Sequence, residues 1–145
     1  MEIRVHLIPD DFHLTHVGEL HDGNYFWIDN QLASDGNDTR DFIAVYIFDR
    51  KGNLIDSKII DRGLRSNSDQ LPLKEVIDRE SKRTGVKRRT SFWAFPFSVA
   101  AFGLTFGLVV RDRQAGELDG YQAVDVLPGY TLMFYPPWSD GLYDT

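Results

Sequence analysis

Ile3, Val5 and Leu7 alternate with Glu2, Arg4 and His6, the two-residue period of a strand with one buried face, and Pro9 ends it. Residues 10–23 mix Asp, His, Thr and Gly and read as a loop with room for a short helical turn. Tyr25-Phe26-Trp27-Ile28 is the next strand-like run, followed by a polar loop over Ser34–Thr39. The clearest local feature is a hairpin. Phe42–Phe48 is β-branched and aromatic, Asp49-Arg50-Lys51-Gly52-Asn53 supplies turn chemistry, and Leu54–Ile60 returns.

Ser91–Val110 runs for twenty residues without a charge, between Lys87-Arg88-Arg89 and Arg111. That length suffices to cross a bilayer as a helix, and Gly103 and Gly107 form a GxxxG pair. Pro96 and the period of two argue otherwise. Phe102, Leu104, Phe106, Leu108 and Val110 alternate with Gly103, Thr105, Gly107 and Val109, which a strand requires and a membrane helix does not. A second hairpin is predicted from Phe102–Arg111 through Asp112–Gly120 into Tyr121–Val126, with a last strand over Tyr130–Tyr135 closed by Pro136-Pro137.

A single helix is predicted near residues 70–84. Pro72 suits a first helical turn, and Leu73, Val76 and Ile77, with Glu80, define one narrow face. Glu75 with Arg79 and Asp78 with Lys82 are favourable pairs four apart, and Gly85 is a natural stop. One helix among about seven to eight strands gives an α+β fold with a mainly antiparallel β-sheet. No Pro/Gly/Ser-rich linker divides the chain, so residues 1–145 form one domain.

Composition narrows the function. The chain has no cysteine, which excludes a disulfide scaffold, Cys-ligated zinc and a thiol nucleophile. Signatures for a serine-hydrolase elbow, a phosphate-cradling loop and a dinucleotide fold are missing too, and no cofactor is expected. The N-terminus lacks the basic-then-apolar pattern of a secretory leader, so a cytoplasmic protein without a membrane anchor is expected. Ten Phe, six Tyr and three Trp make it aromatic-rich. Trp138 and Tyr143 are too apolar to stay in water and should fold back onto the body.

Charge is unevenly placed. Arg79, Lys82, Arg83, Lys87, Arg88 and Arg89 stand within eleven residues with Glu80 as the one acid, a net +5 that leaves −11 on the rest of a chain totalling −6. The helix dipole favours cations in the last turn but does not account for Arg88 and Arg89. The run reads either as a binding face for an acidic partner or as a solvated edge that keeps the following apolar strand from aggregating. Nucleic acid is disfavoured by the −11 remainder and by the lack of a nucleic-acid motif.

All four histidines fall within residues 6–21. His13 and His16 have the spacing to share one face of a helical turn, and His21 would complete a three-nitrogen metal set. A third possibility is an apolar slot over Gly103 and Gly107, against plain aromatic packing on those glycines. The expectation is therefore a non-catalytic protein–protein interaction or regulatory module, of which a toxin-neutralising, immunity-type protein is one version. A metal-dependent enzyme using His13, His16 and His21, and a carrier of apolar small molecules, are the alternatives.

Overall fold

The computed structural model describes residues 3–67, 70–112, 122–138 and 140–145. Twelve strands and one helix follow in the order β1 (Val5–Leu7), β2 (His16–Leu20), β3 (Tyr25–Asp35), β4 (Asp38–Phe48), β5 (Leu54–Leu64), α1 (Leu73–Thr84), β6 (Val86–Arg89), β7 (Phe92–Ala94), β8 (Phe97–Ala101), β9 (Leu104–Asp112), β10 (Gln122–Leu127), β11 (Met133–Phe134) and β12 (Tyr143–Asp144). All pairings are antiparallel. They form two five-stranded sheets, β5-β4-β3-β2-β6 and β12-β11-β10-β9-β8, and a two-stranded ribbon, β1-β7. The α+β, mainly antiparallel reading holds, but the described residues form twelve strands rather than seven or eight.

The centre of the first sheet explains the most apolar strand. Phe42, Ala44, Tyr46 and Phe48 point to one face of β4 and enter a core shared with Phe106, Leu108, Val124, Val126 and Phe134 of the second sheet. Ile43 and Val45 point to the other face, where Val76 and Ile77 of α1 cover them. A strand buried on both faces loses alternation and reads as a continuous apolar run. Aromatic contacts join the sheets, with Phe42 edge-on to Phe106 at 5.2 Å and Tyr46 edge-on to Phe97 at 4.7 Å between ring centroids.

α1 ends as expected, with Gly85 left-handed at φ 82° and its N–H bonded to the Ser81 carbonyl. Pro72 stands at the N-cap instead of inside the first turn. Glu80, on the apolar face, is buried between Lys58 Nζ at 3.1 Å and Arg83 Nε at 2.7 Å, which ties the helix to β5. Burial pulls its carboxyl upward, but those two cations outweigh it and hold the group below the ordinary carboxylate range.

Four local expectations are corrected. Residues 10–23 are not loop throughout, because β2 lies within them. The polar segment Ser34–Thr39 is a two-residue turn in a long ribbon, in which Asp35 pairs with Asp38 and Arg40 bridges Asp35 and Asp61. The long uncharged segment holds three strands, and Phe102 and Gly103 form a turn with φ 53° and 75° instead of starting a strand. The strand expected over Tyr130–Tyr135 shrinks to β11, and β12 comes last. The turn of the second predicted hairpin lies outside the described residues, although β9 and β10 do pair. Trp138 and Tyr143 pack against the main core. Among the described residues no helix is long and apolar enough to cross a membrane.

Candidate functional site

The basic run is divided by the fold. Val86–Arg89 becomes β6, an edge strand whose Lys87, Arg88 and Arg89 are all exposed. Its position depends on Gly18 in β2, where a Cβ would lie 2.0 Å from the Arg88 carbonyl oxygen. Arg88 Nε lies 3.1 Å from the Glu19 carboxylate and Lys87 Nζ 3.9 Å from it. Arg89 donates to the Asp10 carbonyl at 2.5 Å and stands 3.5 Å from Asp11. Lys82 borders β6 through a shallow surface hollow shared with His21, Ser81, Gly85 and Val86. Arg83 turns to Glu80, and Arg79 lies toward the opposite sheet edge, beside Ile60, Asp61 and Arg62 of β5. Four cations, Lys82, Lys87, Arg88 and Arg89, therefore share the β6 side.

The histidines are separated as well. His13 and His16 line a cleft of about 290 Å³, whereas His21 sits in the hollow beside Lys82 at the other end of β2. Among the described residues no group of three or more His, Asp or Glu side chains is placed to hold a metal ion. His6 stacks on Trp93 at 4.4 Å across the β1–β7 pair.

The cleft itself opens where β2 begins. His16 pairs with Ile28, so β3 beyond Ile28 has no β2 neighbour, and Asp29 and Asn30 reach its wall. Phe12, His13 and Thr15 come from the segment before β2, Leu73 and Ile77 from α1, and Thr131 and Leu132 from the turn after β10. The segment before β2 is shaped by Asp10, whose Oδ1 accepts the backbone N–H groups of Phe12, His13 and Leu14 at 2.8–3.0 Å. Burial, reinforced by the charge on Arg89, lowers the His16 pKa against the opposing pull of Asp78.

Asp29 is the group in this cleft that sequence reasoning missed. It shares a face of β3 with Trp27 and Gln31, and Gln31 Nε2 donates to its carboxylate at 2.6 Å and to Thr131 Oγ1 at 3.1 Å. Desolvation pushes its pKa up to about 7, against the pull of Gln31 and the Asn30 N–H. Behind it the buried Tyr46 hydroxyl and Trp27 indole N–H have no hydrogen-bond partner among the described residues, and burial, then the Asp29 charge, raise the Tyr46 pKa. The signal was present in the sequence: an acid at the parity of Trp27, where the strand's core positions fall.

The apolar slot is occupied. Gly103 belongs to the β8–β9 turn, and a Cβ on Gly107 would lie 2.3 Å from the Phe97 carbonyl oxygen. Comparison with protein-family models, curated proteins and solved structures gave no match.

Proposed function

We propose that the chain is a non-catalytic interaction module whose β6 edge receives an extended acidic segment of another protein. The observation that supports this reading most is the edge itself: one free strand with three consecutive exposed cations, extended by Lys82 at the helix end. An added strand would bond the outer backbone of β6, and acidic side chains on it would meet Lys87, Arg88 and Arg89. Glu19 and Asp11 already illustrate the chemistry, because they engage these same cations at 3.1–3.9 Å. A charged edge also resists sheet-to-sheet aggregation. The helix dipole accounts for Lys82 in the last turn of α1 but not for Arg88 and Arg89, which lie beyond it.

The test uses a short peptide of alternating Glu and Val, with the same peptide N-methylated at alternate backbone positions as control. Binding should weaken steeply with salt, slow amide exchange at Val86–Arg89, and vanish for the methylated control. Lys82→Glu, Lys87→Glu and Arg88→Glu combined should abolish it with a small change in melting temperature, since these groups are exposed. Undiminished binding by that variant, or equal binding of both peptides, overturns the reading.

A further inference from the structure

Among the described residues, three buried carboxylates are each matched by a cation of the chain itself. Asp41 meets Arg62 at 2.7 Å, Glu80 meets Lys58 and Arg83, and Asp125 meets Arg111 at 2.8 Å. Asp29 breaks this pattern. Its contacts are neutral donors, the Gln31 amide and the Asn30 N–H, and no cationic side chain bridges to it among the described residues. It also stands at a cleft wall and not in a sealed core, so a cation can reach it from outside.

The rest of the cleft suggests what kind. Ile28, Leu73, Ile77 and Leu132 give it an apolar side, the exposed Phe12 ring belongs to its lining, and Asn30, Thr15 and Thr131 add polar groups to it. A volume of about 290 Å³ suits a molecule of a few carbons. Among the described residues no three acids or histidines are grouped to hold a bare metal ion here. We infer that this cleft binds a small organic ammonium ion, its charge set against the Asp29 carboxylate and its hydrocarbon part against Ile28, Leu73 and Ile77. The ion would supply the charge partner that the chain provides at Asp41, Glu80 and Asp125.

The experiment is an amide-shift titration of the full chain with cyclohexylammonium chloride, with cyclohexanol as the neutral match and potassium chloride as the bare-ion control. The ammonium compound should move the amides of Thr15, Asn30 and Thr131 saturably and bind at least about tenfold more tightly than cyclohexanol, while potassium moves none of them. It stays charged across the range used. Its affinity should rise by about tenfold or more between pH 5.5 and 7.5 as Asp29 ionises. His13 and His16 also line the cleft, a proton on His16, whose pKa burial and Arg89 lower against the pull of Asp78, would oppose a cationic ligand, and Tyr46 faces Asp29 from β4. Asp29→Asn separates these contributions: binding should fall at least about tenfold and lose most of its pH dependence. Equal affinity for cyclohexanol, a flat pH profile of the native chain, or undiminished binding by Asp29→Asn would each overturn the inference. The first two need no variant.

Discussion

The Tyr143 hydroxyl donates to Asp10 Oδ2, while Oδ1 of the same carboxylate gathers three consecutive backbone N–H groups. One side chain thus anchors β12 to the turn that carries Phe12 and His13 into the cleft. Burial raises the Asp10 pKa, but the Tyr143 bond and the three amides prevail and leave it below the usual range. The Tyr143 hydroxyl is pushed up to about 12, by burial first and then by Asp10.

Tyr143→Phe should therefore cost about 1.5–3 kcal/mol, the size of a hydrogen bond to a charged group. Because the folded Asp10 pKa lies below the unfolded value, its contribution is present above the unfolded pKa and is lost as pH falls through the folded one. The gap between native chain and Asp10→Asn in urea melts should shrink between pH 7 and pH 3. An equal gap at both pH values would show that the carboxylate charge is not what holds the turn.

Asp29 behaves in the opposite sense. Its folded pKa of about 7 exceeds the unfolded 3.8, so the folded state holds a proton that the unfolded chain has released. Stability should accordingly decline as pH climbs from about 4 to about 7, by no more than about 1.4 kcal/mol per pH unit from this proton. Carbon-detected titration of the Asp29 carboxyl should give its midpoint near neutrality, and Asp29→Asn should flatten the decline. A midpoint near 4 would sink this account.

Much of the fold could be read from residue pattern because the pattern reports burial. Phe42–Phe48 is apolar at every position because both faces of β4 are covered, and Leu73, Val76, Ile77 and Glu80 show the helix spacing of one covered face. β2 escaped for a reason local sequence does not carry: Gly18 interrupts it to admit the Arg88 carbonyl from seventy residues away. Phe102 misled by parity, since a bulky aromatic at positive φ in a tight turn runs against its own preference. The cleft was half visible. His13 and His16 were marked by their spacing, whereas Asp29 and Thr131 are brought together by Gln31, which bonds both across a hundred residues of sequence.

The Glu80 arrangement makes a directional prediction. Lys58→Ala combined with Arg83→Ala leaves a buried carboxylate with neither cation and should cost about 3–5 kcal/mol. Adding Glu80→Gln to that pair should recover part of the loss, because the uncompensated charge is gone. Thermal or chemical melts of the double and triple variants decide it. A triple variant less stable than the double would mean that the carboxylate is held by something other than its two cations.

Gly103 and Gly107, four residues apart, should respond very differently to alanine. Both have positive φ, 75° and 139°. A Cβ at Gly103 meets nothing within 4 Å, so the cost there is the backbone preference alone, about 1–2 kcal/mol. At Gly107 the new Cβ would sit 2.3 Å from the Phe97 carbonyl oxygen and 3.0 Å from its ring. Backbone has to give way, β8 must move off β9, and the edge-on contacts of Phe97 with Tyr46 and Phe48 are disturbed with it. Gly107→Ala should consequently cost at least about 2 kcal/mol more than Gly103→Ala, in the range of overpacked cores. Near-ultraviolet dichroism should register the disturbed aromatic cluster in the first variant and leave the second close to native. Equal losses in the two would mean that β8 and β9 are not held as closely as this packing requires.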